Sequence, residues 1–364
     1  MVTGAFVISF ILVILTIPSI LRVAHVKKLF DPVDLRKIHR SNVPPLGGIA
    51  IFVSFILTTI VATDGCSFDS LKYIIAAVII MFFIGLKDDL LSVSATNKLI
   101  VQLFAAILLI TLGNIRFTSF HGILGIYEIN NFTSIVFSIF VIVLIINAYN
   151  LIDGIDGLAS GLTILSASVF GVWFYLEGNI QFSIMSFALV GSLSGFFIFN
   201  VFGKRNKLFM GDSGSLIIGL IISTLVIKFN ETNIVKSLPY SAFGAPAVSL
   251  SIIIIPLIDT LRVMIVRIGK KRSPFCADRN HIHHHMLQML PSHLKSTIFI
   301  VLINGVIIAI SIILNYISLE VNLQFMAVLF IGIICVIIPG SLKHSPKTNY
   351  ITNLKRIPLL RMFF

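Results

Sequence analysis

The chain contains few charged residues. Asp, Glu, Lys and Arg make up only 12% of its 364 residues, whereas 57% are hydrophobic, and the mean hydropathy is +1.03. Soluble globular domains carry about 25% charged residues. The composition therefore excludes a soluble globular protein and predicts a polytopic membrane protein.

Cysteines are few, and neither a linker nor an internal repeat is visible. Only Cys66, Cys276 and Cys335 are present. They fall in a predicted outer loop, a predicted inner loop and the last apolar segment, so no two are placed to form a disulfide. We therefore expect one transmembrane domain over residues 1–364. The first apolar segment has neither a basic region before it nor a small-residue cleavage site after it, so we expect it to be retained as a helix.

Eleven apolar segments have about the length needed to cross a bilayer, roughly 20 residues for a helix. They are residues 2–21, 46–63, 71–87, 98–113, 133–149, 158–176, 182–202, 213–229, 244–267, 296–318 and 322–340. The sequence therefore predicts an all-α fold with about eleven transmembrane helices.

Lysine and arginine are distributed unevenly between the predicted loops. Of the 27 basic residues, twenty fall in alternate loops on one side and in the C-terminal tail, and only four fall on the other side. Because translocated loops are depleted in Lys and Arg, the N-terminus is predicted to lie outside and the C-terminus in the cytoplasm. The net charge of +12 is then concentrated on the cytoplasmic face, where it can meet anionic lipid headgroups or an anionic substrate.

The most informative stretch is NAYNLIDGIDGLASG, residues 147–161. It places two amides and two carboxylates at a spacing of three: Asn147, Asn150, Asp153 and Asp156. Each three-residue step turns about 60° away from a common helix face, so Gly154 and Gly157 are expected to break the helix. Carboxylate and carboxamide oxygens suit a hard cation such as Mg²⁺, although a polar interhelical loop with glycine caps would give the same pattern.

Two motifs precede this stretch on the predicted cytoplasmic side. In RKIHRSNVPPLGG, residues 36–48, basic side chains and a glycine pair could hold a phosphate, or the basic residues could anchor the next helix. In GLKDD, Asp88 and Asp89 lie at a helix C-terminus, the unfavourable end for negative charge. That placement indicates a site for a cation or a proton, although two solvated loop acids near lysines would look the same.

Three motifs follow the central stretch. In FGKRNKLFMGDSGSL, residues 202–216, a basic trio precedes Asp212, which could reach a metal beside a phosphate-binding turn or act as a plain helix N-cap. Asp259 and Arg262 in PLIDTLR are expected to neutralise each other within the bundle. The loop RNHIHHH, residues 279–285, lacks cysteines at zinc-ligand spacing, and its His and Arg side chains suit a pyrophosphate.

Together the motifs carry a family resemblance. VPPLGG, GLKDD, NAYNLIDGIDGLASG, FMGDSGSL, PLIDT and RNHIHHH occur in the order and at the spacings of the polyprenyl-phosphate N-acetylhexosamine-1-phosphate transferases, glycosyltransferase family 4. The resemblance covers the chain up to its last two helices. It implies a Mg²⁺-dependent enzyme, with Mn²⁺ as a substitute, in the bacterial cytoplasmic (inner) membrane with its active site on the cytoplasmic face.

The reaction that the resemblance implies is transfer of a sugar-1-phosphate to undecaprenyl phosphate. The donor would be a UDP-N-acetylhexosamine, with GlcNAc as the expected sugar, and UMP would be released. This step would initiate a cell-surface polysaccharide of the O-antigen, enterobacterial common antigen or teichoic acid type. A single displacement and a ping-pong route through an aspartyl-phosphate both stay open.

The resemblance also implies roles for individual residues. The implied metal ligands are Asp212 and Asn150. The implied catalytic acids are Asp88, Asp89, Asp153 and Asp156. The implied residues for binding the sugar nucleotide are Lys37, Arg279, His281, His283 and His284. Two positions depart from the family pattern, since Ser92 replaces a third acid after the aspartate pair and Pro45 stands where many members have Arg.

Two other classes of function fit parts of the pattern. An ion-coupled transporter also has intramembrane acids and broken helices, but here the polar motifs gather on one face and no second half repeats the first. A phosphatidyl-transferase type of enzyme would need an Arg that DGIDGLASG lacks. The expected partners are undecaprenyl phosphate, a UDP-N-acetylhexosamine and membrane lipids, without nucleic acid, and a homodimer is among the assemblies allowed.

Overall fold

A computed structural model describes residues 1–29, 43–63, 70–234, 242, 244–271 and 281–341. Within these ranges the chain forms helices and one short hairpin. They are α1 (Val2–Lys27), α2 (Gly47–Ala62), α3 (Leu71–Leu91), α4 (Ala95–Thr111), β1 (Ser119–Ile123), β2 (Ile126–Glu128), α5 (Asn131–Ile152), α6 (Leu158–Leu176), α7 (Ile180–Phe197), α8 (Gly211–Thr232), α9 (Ala245–Gly269), α10 (Ile282–Met289), α11 (His293–Tyr316) and α12 (Val321–Ser341). A π-helical turn, Ile198–Phe202, continues α7.

Each of the eleven apolar segments overlaps a helix, and the short α10 is additional. In the described part of the chain, eight helices are long and apolar enough to cross a membrane: α1, α5, α6, α7, α8, α9, α11 and α12. Helices α2 and α4 are apolar but shorter. The protein is therefore a largely helical, multi-pass membrane protein, while the number of eleven spans and the orientation stay predictions.

A two-stranded antiparallel hairpin joins α4 to α5 and was not predicted. Ile123 pairs with Ile126, so the turn consists of Leu124 and Gly125, both with positive φ, as two-residue hairpin turns require. The backbone N–H and the hydroxyl of Thr118, just before β1, donate to the carboxylate of Glu231 at 2.8 Å each. These bonds fasten the hairpin to the C-terminal end of α8.

Helix α8 lies at the centre of the bundle. It is the most buried membrane helix of the described chain, whereas α1 and α12 are largely exposed at the periphery. Helices α2, α3, α5, α6 and α9 pack around α8. The first turn of α8, which carries Asp212, is therefore surrounded by the ends of its neighbours.

The proline inside α9 is accommodated by side chains from other helices. Pro256 has no N–H, so the carbonyl of Ile252 loses its helical partner. That carbonyl instead accepts hydrogen bonds from Ser166 Oγ of α6 and Asn304 Nδ2 of α11, each at 3.1 Å. Such re-satisfied carbonyls allow a proline within a membrane helix. The following turn of α9 carries Asp259.

The predicted break in the central motif is confirmed. Helix α5 ends at Ile152 and α6 begins at Leu158, and Gly157 has a φ of 79°, a value that glycine adopts without strain. Because the chain reverses here, the C-terminal end of α5 and the N-terminal ends of α6 and α8 lie at the same end of the bundle.

Candidate active site

Two carboxylates from different helices converge on one ammonium group. Asp88, in the last turn of α3, places Oδ2 2.6 Å from Nζ of Lys98. Asp212, in the first turn of α8, places its Oδ2 2.5 Å from the same nitrogen. The three side chains are only partly exposed. The cluster thus concentrates two negative charges around a single positively charged position.

Asn150 joins this cluster, whereas Asn147 does not. Asn150 Nδ2 donates to Asp212 Oδ1 at 3.1 Å and to Ser215 Oγ at 2.9 Å. Asn147 Nδ2 instead donates to Gln102 Oε1 of α4 at 2.8 Å. Asn150 is therefore the amide of the motif that lies next to Asp212, as predicted, and Asn147 links α5 to α4.

Asp89 caps the N-terminus of α8. Its Oδ1 accepts the backbone N–H of Asp212 at 2.6 Å, and its Oδ2 accepts that of Ser213 at 3.0 Å. A Cβ at Gly211, whose φ is 72°, would lie 2.6 Å from Asp89 Oδ2, so glycine is required there. A carboxylate at this position accepts hydrogen bonds from N–H groups that have no partner within the helix, and its negative charge interacts favourably with the helix dipole. This geometry lets Asp89 position Asp212, while the catalytic role that the resemblance implies for Asp89 stays a prediction.

The glycine pair of VPPLGG binds protein backbone. The N–H groups of Gly47 and Gly48 donate to the carbonyls of Phe209 and Met210, each at 2.8 Å, and Phe209 N donates to the Pro44 carbonyl at 3.0 Å. Both N–H groups of the glycine pair are therefore occupied by protein carbonyls, which gives no support to the alternative in which this pair helps to hold a phosphate. The basic part of the motif, including Lys37, lies outside the described residues.

The donor set of the cluster fits a hard divalent cation. Among the described residues no three His, Cys, Asp or Glu side chains surround a common metal position. However, Asp88 and Asp212 already direct one oxygen each at the same cationic centre, and the Asn150 carboxamide lies beside Asp212. Two carboxylates and an amide oxygen, completed by water or phosphate oxygens, match the usual Mg²⁺ environment.

The two acids of DGIDG have different surroundings. Asp153 has no hydrogen-bond or ion-pair partner in the described chain, and burial, followed by the charges of Asp212, Asp156 and Asp89, raises its pKa to about 7. Asp156 Oδ2 lies 2.6 Å from Lys207 Nζ and 2.9 Å from His293 Nδ1. Asp156 therefore links the motif to neighbouring elements, whereas Asp153 is available to a ligand.

Asp259 is fully buried and fixes the start of the histidine helix α10. Its carboxylate accepts from Arg262 Nη2, from His281 Nδ1 and from the backbone N–H of Ile282, each at 2.9 Å. The predicted Asp259–Arg262 pair is therefore present, but the same carboxylate also positions α10. Arg279, predicted to bind the sugar nucleotide, lies outside the described residues.

The histidine helix lies against the central motif. The rings of His281 and His283 are parallel, with centroids 5.6 Å apart, and the ring of His284 lies 4.2 Å from that of His283. His283 is 2% exposed. Burial, together with the neighbouring histidines, lowers its pKa to about 3. His283 is therefore neutral at physiological pH and can donate one N–H but adds no positive charge.

The contact between His283 and Gly154 gives a testable prediction. A Cβ at Gly154 would lie 2.1 Å from His283 Nε2, so Gly154→Ala must push α10 and the DGIDG turn apart. Displacing reacting groups by even 1 Å lowers a reaction rate. We therefore expect the catalytic rate of the variant to be about tenfold lower than that of the wild type. Initial rates of the transfer reaction that the sequence resemblance implies, measured with purified protein, would test this.

Gly305→Ala in α11 is the matched control. A Cβ at Gly305 would meet its nearest neighbour, Leu165 Cδ2, at 4.0 Å, an ordinary contact distance. Activity close to that of the wild type is expected for the control. Equal activities of Gly154→Ala and Gly305→Ala would show that the approach of α10 to the motif is irrelevant to the reaction.

Comparison with known proteins supplies the family. The sequence profile of glycosyl transferase family 4 matches residues 71–230. The undecaprenyl-phosphate alpha-N-acetylglucosaminyl 1-phosphate transferase of Haemophilus influenzae is 34% identical over 264 residues, covering 71% of this chain and 72% of that protein. The Escherichia coli K12 protein of the same name is 30% identical over 298 residues, covering 81% and 79%. A probable undecaprenyl-phosphate N-acetylglucosaminyl 1-phosphate transferase of Bacillus subtilis is 30% identical over 328 residues, covering 90% and 88%.

Proposed function

This chain belongs to glycosyl transferase family 4, and we propose that it transfers N-acetylglucosamine 1-phosphate from UDP-N-acetylglucosamine to undecaprenyl phosphate. The names of the similar proteins from three bacteria support this activity. The structural observation that supports it best is the convergence of Asp88 and Asp212 on one cationic position. Phosphoryl transfer needs charge neutralisation and alignment more than covalent help from the protein.

The carboxylate cluster would hold the metal and the acceptor. We infer that Asp212 and Asp88 would hold Mg²⁺, together with the carboxamide oxygen of Asn150 if that amide turned from its present contact with Asp212, and that the ion would supply positive charge to the diphosphate. Lys98 adds a permanent positive charge beside the same carboxylates. Because a phosphate monoester has a second pKa of ~6, the lipid phosphate is largely dianionic, and Asp88 can position it without removing a proton.

The bonds changed are those of the donor's diphosphate. An oxygen of the lipid phosphate attacks the β-phosphorus, and the bond to the bridging oxygen breaks so that UMP leaves. Asp89 holds the first turn of α8, and with it Asp212, in place. His283, neutral and next to Gly154, would donate an N–H to a phosphate oxygen of the donor. Exposed apolar side chains on the membrane helices provide contact for an isoprenoid chain.

The location and the pathway are part of the proposal. Eight apolar helices and bacterial relatives support a bacterial cytoplasmic membrane protein, and the basic loops favour a cytoplasmic active site. The product, a sugar linked to a lipid by a pyrophosphate, would start a cell-surface polysaccharide. The position of the polar cluster at one end of the bundle favours this reaction over ion-coupled transport, whose sites lie near the bilayer midplane.

Transfer of radiolabelled sugar-1-phosphate by detergent-purified protein tests the proposed function. UDP-GlcNAc, UDP-GalNAc and a UDP-deoxysugar would each be offered with undecaprenyl phosphate and Mg²⁺. We expect a labelled lipid product and an equal amount of UMP with UDP-GlcNAc. A product formed only from another UDP-sugar would show that the proposed donor is wrong. No product from any of the three would refute the proposed transferase function.

A further inference from the structure

A cavity of about 280 Å³ lies at the end of α7, beside the π-helical turn. Its lining combines the apolar side chains of Ile198, Phe199 and Phe202 with the polar side chains of Lys204, Arg205 and Asn206. We call this cavity the π-turn site, residues 198–206. The residues named in the proposed reaction do not line it.

The π-turn site is amphipathic and carries uncompensated charge. Ile198 is 42% and Phe202 60% exposed, at the end of a membrane helix where water meets lipid. Lys204 and Arg205 are exposed and form no ion pair within the described chain. Lys207, by contrast, is held by Asp156. The site therefore offers two positive charges directly beside an apolar surface.

The side chain of Asn200 connects the π-helical turn to the candidate active site by hydrogen bonds. Asn200, which is 6% exposed, accepts the backbone N–H of Gly157 on its Oδ1 at 2.7 Å. Its Nδ2 donates to the Leu208 carbonyl at 2.9 Å. The same turn that opens the cavity thus fixes both the DGIDG motif and the segment leading to Asp212. A ligand that stabilises the turn would stabilise both.

We propose that the π-turn site binds an anionic membrane phospholipid and that its occupancy activates the enzyme. The phosphate would lie at Lys204 and Arg205, and an acyl chain would cover Ile198 and Phe202. Charge complementarity favours an anionic over a zwitterionic lipid. The exposed apolar side chains favour a lipid over a soluble phosphate, because only a lipid removes them from water. This site is separate from those for the two substrates.

Binding of phosphatidylglycerol is the deciding measurement. A photoreactive phosphatidylglycerol would be crosslinked to the purified full-length protein and the labelled peptide identified. We expect the label to lie within residues 198–206. The double variant Lys204→Gln/Arg205→Gln should bind the lipid about 25-fold more weakly, because each basic residue contributes separately to lipid affinity. Lys270→Gln/Lys271→Gln, which removes two exposed charges at the end of α9, is the matched control and should bind like the wild type.

Competition separates the sources of the phosphate. Unlabelled phosphatidylglycerol should displace the probe, whereas inorganic phosphate and phosphatidylcholine should not. Displacement by inorganic phosphate would show a plain anion site, and preferential displacement by undecaprenyl phosphate would assign the cavity to the acceptor. Either result would overturn the proposal, as would equal labelling of the Lys204→Gln/Arg205→Gln variant.

Activation is measured separately in vesicles. Replacing part of the phosphatidylcholine by phosphatidylglycerol should raise the transfer rate severalfold for the wild type and the Lys270→Gln/Lys271→Gln control. The Lys204→Gln/Arg205→Gln variant should keep only its rate in phosphatidylcholine. This readout depends on the proposed transferase function, whereas the crosslinking readout does not. Lipid binding without a change in rate would refute the activating role.

Discussion

Replacing Asp212 with asparagine is expected to lower the rate of sugar-1-phosphate transfer by about 10³-fold. Asparagine has the size of aspartate and can keep the contact with Asn150. It removes the negative charge that, together with Asp88, converges on one position. Because a carboxamide is a far weaker Mg²⁺ ligand than a carboxylate, added Mg²⁺ should restore little activity. Initial rates over a Mg²⁺ series, with EDTA as the zero point, measure the effect.

Two comparisons make the Asp212→Asn result specific. Glu128→Gln removes one exposed carboxylate from β2, near the end of α5 remote from Asn150, and should leave the rate unchanged. Mn²⁺ binding can be monitored by electron paramagnetic resonance, because the signal of unbound Mn²⁺ decreases as the ion binds. Binding should be weaker in Asp212→Asn than in the wild type, and unchanged in Glu128→Gln. Wild-type Mn²⁺ binding by Asp212→Asn would refute its assignment as a metal ligand.

The positions of the helices along the chain could largely be predicted from the sequence. Lipid leaves an apolar segment no alternative to a helix, so segment length alone locates each one, as it does for α8 and α11. The break between α5 and α6 was predictable as well, because polar side chains at a spacing of three beside glycines do not continue a helix. The hairpin was not predicted, although Gly122 and Gly125 between α4 and α5 are the kind of signal that marks such turns.

The separate roles of the acids could not be predicted from spacing. Helical periodicity assigns directions only where the helix continues, and α5 ends just before Asp153. Beyond that point the local turn determines that Asp156 contacts Lys207 and His293, while Asp153 has no such partner in the described chain. The motif thus indicates which residue types are present but not which of them contacts a ligand.

Long-range contacts are the other part that sequence patterns do not contain. The sequence places Lys98 close enough to Asp88 to neutralise it, and the structure shows that pair. The contact of Lys98 with Asp212, 114 positions later in the chain, has no signal in the sequence. Asp259 shows the same limit. Its neighbour Arg262 was identified as a partner. The hydrogen bond from the backbone N–H of Ile282, 23 residues after Asp259, is a long-range contact that spacing does not indicate.

Variants of the neighbouring residues Asp88 and Asp89 should distinguish a loss of catalytic rate from a loss of stability. In Asp88→Asn the side chain can still accept from Val93 N, which Asp88 Oδ1 does at 2.5 Å, but the charge facing Lys98 is lost. We therefore expect about a 10²-fold loss of transfer rate with an unchanged unfolding temperature. Thermal unfolding in detergent and transfer assays on the same preparations would measure both quantities.

Asp89→Asn should behave differently, because the asparagine has only one acceptor oxygen for the two N–H groups that Asp89 now caps. Its amide NH₂ would face an N–H donor, and loss of a charged cap and hydrogen bond costs about 1–3 kcal/mol. The unfolding temperature should fall together with the transfer rate, since the displaced first turn carries Asp212. If Asp89→Asn lost activity at an unchanged unfolding temperature, as expected for Asp88→Asn, then Asp89 would act on the substrates directly. The capping geometry would in that case describe only one state of the enzyme.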